Sequence, residues 1–110
     1  MDKITKELMN LGCDPSFRGF RYARAAIDCM IKAGDDAPNV KITKELYPEI
    51  AKMYSVTRTG VERDIRYMVE RAFLTGKPDK AERVFGQYMT ADKGVVTNKT
   101  FISVMAERLR

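Results

Sequence analysis

Apolar residues recur along this chain at helical spacing, and the strict alternation that marks a β-strand is nearly absent. Ile4, Leu8 and Leu11 fall at i, i+4, i+7 behind Asp2, a good N-cap, with Gly12 where a glycine after a helix belongs. Asp14 before Pro15 reads as the next start, a cap followed by proline at the first helical position. From there Phe20, Ala23, Ile27, Met30 and Ile31 form one stripe that ends at Gly34. Arg21, Arg24, Asp28 and Lys32 lie opposite as a solvated face. The stretch GDDAPNV, Gly34 to Val40, is a turn-rich connector. Thr43 suits a cap for ITKELYPEIAKMY, but Pro48 lacks the N–H a helix interior needs. That helix either kinks at Pro48 or begins near Tyr47.

Beyond Phe73 the chain is broken by Gly76 and Pro78. A short helix capped by Asp79 carries Ala81, Val84 and Phe85 and stops at Gly86. TADKGVVTNK is loop-like, with Val95 and Val96 as an extended piece too short for a sheet. A last helix from about Asn98 sets Ile102, Met105, Ala106 and Leu109 on one face. The pattern predicts an all-α protein: one domain over 1–110, a compact six-helix bundle containing a helix-turn-helix.

The helix-turn-helix expectation rests on Glu49 to Phe73. Two short helices that share one core need hydrophobic residues at fixed offsets and a small residue where they cross. Ile50, Ala51, Tyr54, Val56 and Val61 match that spacing, with Ala51 as the small residue and Ser55 where glycine is commonest in the turn. The second helix, about 58–73, points Val61, Ile65, Met68, Val69, Ala72 and Phe73 inward. Glu62, Arg63, Arg66, Tyr67 and Glu70 then face outward, with Arg58, Thr59 and Gly60 at the tip. Recognition helices read base edges from their N-terminal residues; arginine matches guanine, and glutamate accepts from the cytosine amino group. Thr57, Thr59 and free backbone N–H groups suit phosphates. The plainer reading is a surface helix laced by Glu62–Arg66 and Arg66–Glu70 pairs.

Composition narrows the function classes. At 110 residues, 45% hydrophobic and 32% charged, the chain has the balance of one ordinary globular domain. Twenty Lys and Arg against fifteen Asp and Glu give a net charge of +5, which favours a polyanionic partner. No segment approaches the ~20 apolar residues of a membrane span and no signal peptide opens the chain, so the expected location is cytoplasmic. Histidine is absent, and Cys13 and Cys29 lack metal-ligand spacing; they are read as buried structural thiols, with no metal or cofactor expected. The seven methionines are read mostly as core. No nucleophile–base pair and no phosphate loop points to an enzyme. Asp35 and Asp36 are turn residues. The rival to DNA binding is a helical protein-interaction module that contacts polymerase or another regulator.

The same segments resemble a known family, the C-terminal DNA-binding effector domain of stage-zero sporulation protein A, a master response regulator of sporulation. ITKELYPEIAKMY followed by VERDIRYMVERAF carries the likeness most clearly, supported by FGQYMTADKGVVTNKTFISVMAERLR and LGCDPSFRGFRYARAAI. The resemblance covers nearly the whole chain. It implies a six-helix domain that binds operator boxes on double-stranded DNA as a dimer on tandem sites, activating some genes and repressing others. Carried onto this chain, it makes Glu62 and Arg63 base readers and Arg66 a phosphate or base contact. Together with the pattern above, the expected base contacts are Arg58, Thr59, Glu62 and Arg63, and the expected phosphate contacts are Thr57, Arg66 and Tyr67. The resemblance also implies a contact with the RNA polymerase sigma subunit between Gly76 and Phe85, through Lys80 and Phe85. Two positions depart from the family: Gly60 stands where an arginine reads guanine, with Arg58 as its nearest substitute, and Tyr67 replaces the usual histidine. Nothing in the chain resembles the family's receiver domain.

Overall fold

The computed structural model describes residues 1–89 and 94–110. Thr90 to Lys93, the first part of the expected loop, lie outside them. Among the described residues six α-helices follow one another: α1 (Lys3–Asn10), α2 (Arg18–Ala33), α3 (Tyr47–Tyr54), α4 (Arg58–Arg71), α5 (Pro78–Phe85) and α6 (Asn98–Leu109). No strand occurs among the described residues.

Local chemistry sets the boundaries. Asp2 caps α1 as expected, its carboxylate accepting from the Thr5 N–H at 2.7 Å. That bond, and secondarily Arg24 beside it, holds the Asp2 carboxyl below its ordinary range. Asp14, by contrast, does not cap α2. Its carboxylate accepts from both the N–H and the hydroxyl of Ser16, at 2.9 and 2.8 Å, which folds Asp14–Phe17 into a turn. The helix therefore starts at Arg18, with Phe17 extended before it. Of the two starts allowed for the third helix, the one at Tyr47 is realised, with Pro48 in the first turn. Ile42–Leu46 forms a wide turn, where the Leu46 N–H reaches back to the Lys41 carbonyl at 3.2 Å. Pro48 thus meets no interior carbonyl that needs its missing N–H. Pro78 likewise opens α5 rather than preceding it, so Asp79 sits within the first turn and Lys77 takes the cap position.

The longest helix, α2, packs against both α4 and α6, with α1 alongside. Ile27, Ile50, Ile65, Met68, Ile102 and Met105 meet in the core with no exposed surface. Each such side chain contributes roughly 1.5–3 kcal/mol of burial. A second cluster closes one end, where Phe85 stacks on Phe101 with centroids 5.4 Å apart and also lies 5.4 Å from Phe73. The α2–α4 crossing is very tight: a Cβ on Gly19 would stand 2.1 Å from the Asp64 carbonyl oxygen. Glycine is required there because the backbone of α4 occupies the side-chain space. Ala51 is buried at the α3–α4 contact as expected, whereas Val56 is 39% exposed and does not join the shared core. Of the methionines, Met30, Met68 and Met105 are buried, while Met1, Met9 and Met53 are exposed. No helix among the described residues is long and apolar enough to cross a membrane.

Candidate nucleic-acid interface

The α3–α4 unit is built by two local devices. At the end of α3, Ser55 adopts the left-handed conformation (φ 57°), and the Val56 N–H bonds back to the Ala51 carbonyl at 2.9 Å. This is the position where the sequence carries serine in place of the commoner glycine. The chain then extends at Thr57, whose hydroxyl oxygen accepts from the Gly60 N–H at 3.0 Å and caps α4. Three residues thus redirect the backbone from one helix into the next.

Along α4 the two faces separate cleanly. Val61, Ile65, Met68 and Val69 are buried against α2, α3 and α6. Arg58, Thr59, Arg63, Arg66, Tyr67 and Glu70 are exposed, and Glu62 is half-buried. The Arg66 guanidinium lies 3.5 Å from Glu62, with the two side chains 53% and 43% exposed. An ion pair that wet contributes little and gives way readily to a phosphate. The second pair expected from spacing, Arg66–Glu70, does not form within 4 Å, while Arg63 instead lies 3.7 Å from Asp64. Tyr67 rests its ring 5.4 Å from that of Phe17. Gly60 is buried at the tip, where a Cβ would stand 2.9 Å from the capping oxygen of Thr57.

The fold adds side chains that the sequence pattern did not single out. Arg18, at the start of α2, shares a groove with Arg63, Asp64 and Tyr67 on one flank of α4. Lys99, at the start of α6, lines a cleft with Glu62 and Arg66 on the other flank. On that second flank Asn98 donates from its side-chain amide to the Glu62 carbonyl at 2.9 Å, tying α6 to α4 across 36 residues of sequence. Tyr47 joins the same junction; burial pushes its phenol upward, partly offset by its hydrogen bond with Asn98. These neighbours come from segments distant in sequence, and only the basic residue types themselves hinted at them.

The expected sigma-facing pair divides. Lys80 is exposed on α5, but Phe85 has no exposed surface and is locked between Phe73 and Phe101, so it cannot present its ring to a partner. Cys13 is buried, which pushes its thiol up to about 12, and Cys29 is half-buried and raised by the same cause. Among the described residues no group of three or more His, Cys, Asp or Glu side chains is placed to hold a metal ion.

A capped helix with a buried apolar face, a cationic outer face and a tight turn from its predecessor defines a helix-turn-helix DNA-binding domain. The family comparison agrees, matching the sporulation initiation factor Spo0A C-terminal model over residues 4–109. The chain belongs to this family of DNA-binding, transcription-regulating domains of sporulation.

Proposed function

We propose that this domain reads specific operator sequences by inserting α4 into the major groove. The observation that carries this reading is the exposed N-terminal half of α4. Its caps and apolar anchors are complete, and the side chains of Thr59, Glu62 and Arg63 make only long contacts on its outer face, to Thr57 at 3.4 Å, Arg66 at 3.5 Å and Asp64 at 3.7 Å. On this reading Arg58, Thr59, Glu62 and Arg63 contact base edges, with Arg63 donating to guanine and Glu62 accepting from cytosine. Arg66 and Tyr67 hold the phosphate backbone. Thr57 joins them: its oxygen accepts in the cap, which leaves its hydroxyl proton for a phosphate oxygen. Two copies bind adjacent boxes, and the exposed face of α5 around Lys80 meets the polymerase sigma subunit.

Fluorescence anisotropy of the protein against a duplex carrying tandem family-type boxes, beside a scrambled duplex, tests the reading at several salt concentrations. Specific recognition gives tighter binding to the boxes, with a log–log salt slope of roughly −4 to −5 for about five neutralised phosphates. Equal affinity for both duplexes defeats the specificity claim. Absence of binding to either transfers the argument to the interaction-module alternative.

A further inference from the structure

Beside the helix-turn-helix, the wide turn leading into α3 and the first turn of α6 enclose a groove of about 490 Å³. Lys41, Lys44 and Lys99 line it together with Thr43 and Asn39, and no carboxylate contributes to its wall. All three lysines are exposed. The nearby Glu45 is turned onto the backbone, its carboxylate accepting from the Lys41 N–H at 2.8 Å. The groove also opens toward the recognition helix: Thr43 and Lys99 line both it and the adjoining cleft that contains Glu62 and Arg66. Asn98 keeps α6 in register with α4 through its 2.9 Å bond to the Glu62 carbonyl, so Lys99 stands beside α4 rather than wandering with a loop.

From this placement we propose that Lys41, Lys44 and Lys99 form a second phosphate seat, separate from the recognition helix, that takes the DNA backbone on the α6 side of α4. The proposal rests on the major-groove reading above. A helix lying in the groove, which is about 12 Å wide, has a sugar-phosphate strand along each flank. Arg18 stands on one flank near Arg63; on the other, Lys99 shares a cleft with Arg66, and Lys41 and Lys44 share the adjoining groove with Lys99. Lysine is a flexible point charge, and placed against the backbone rather than the groove floor it meets phosphate and not base edges, so this seat adds affinity without reading sequence.

The test replaces the three lysines with glutamine in the 110-residue protein (Lys41→Gln, Lys44→Gln, Lys99→Gln) and repeats the anisotropy titrations. Circular dichroism checks the fold, which three exposed substitutions leave intact. The expected result is a salt slope shallower by roughly 2 to 3, since each lost phosphate contact removes about 0.9. Affinity falls by the same factor on boxed and scrambled duplexes, so their ratio is unchanged. A slope within about 0.5 of the parent, where parent binding itself is intact and salt-dependent, overturns the seat and leaves the recognition-helix reading standing. A ratio that collapses shows the lysines acting on base readout, which also overturns it. Loss of the parent's own DNA binding removes the underlying reading and the seat with it.

Discussion

Arg63 and Arg66 sit three residues apart on one exposed face, yet their neighbours differ. Arg63 lies 3.7 Å from Asp64 near the helix tip, and Arg66 lies 3.5 Å from Glu62 one turn further on. If Arg63 reads guanine, Arg63→Ala costs about 1–3 kcal/mol on the operator and relaxes one base position, measured by anisotropy against single-base variants. Equal losses on operator and scrambled DNA reduce Arg63 to a phosphate contact. Arg66→Ala weakens binding to every sequence alike and lowers the salt slope by about one. Thr57 has two duties that substitution can separate. Thr57→Ala loses the bond to the Gly60 N–H and costs about 1 kcal/mol of stability in thermal unfolding. Thr57→Asp keeps a capping oxygen and adds charge that favours a helix N-terminus, so it folds as well as the parent. That same charge repels a phosphate, so DNA binding falls although stability does not. Retained affinity in the Asp variant removes Thr57 from the interface.

Helices rich in periodic signal were legible, and their ends were legible only where a cap acts alone. The apolar stripes of α4 and α6, the Asp2 cap and the turn at Ser55 followed from the residues because each depends on neighbours within a turn or two. The start of α2 did not follow, because Asp14 has two local options and its bonds to Ser16 make a turn instead of a cap. Phe85 lies on the apolar side of its helix as the pattern expects, and the surface role that the resemblance gave it fails because it is fully buried. A short amphipathic helix buries whichever side finds partners, and the partners here, Phe73 and Phe101, lie far off in sequence. The exposed face of α4 was legible for the same reason as its helix, whereas Arg18 and Lys99 flank it only through the packing of α2 and α6. The tightness of the α2–α4 crossing was equally hidden. Gly19→Ala places a methyl 2.1 Å from the Asp64 carbonyl oxygen, a backbone atom that cannot swing aside. The expected loss is about 3 kcal/mol, near the top of the overpacking range, read from urea unfolding. Because α4 must shift to relieve the clash, DNA affinity falls along with stability. Unfolding indistinguishable from the parent indicates that the two helices separate at little cost.

Over the whole molecule, basic side chains stand on both flanks of α4, Arg18 with Arg63 on one and Lys99 with Arg66 on the other, while the aromatic cluster of Phe73, Phe85 and Phe101 lies in the core where α5 packs. This division bears on the proposed polymerase contact, because α5 joins an exposed lysine to a buried phenylalanine. Phe85→Ala empties a fully buried site and costs about 3–5 kcal/mol. A domain of this size has only about 5–15 kcal/mol in total, so that variant is compromised in every assay. Lost activation by Phe85→Ala is thus uninformative about a partner. Lys80→Glu is the informative change, since the side chain is exposed and no ion pair within 4 Å is broken among the described residues. Its expected effect is unchanged melting and unchanged affinity for the tandem boxes, with weaker recruitment of polymerase holoenzyme to the same DNA. Gel-shift titration of holoenzyme onto the preformed complex measures this directly. Recruitment equal to the parent's excludes Lys80 from the contact and directs the search to another exposed face of the bundle.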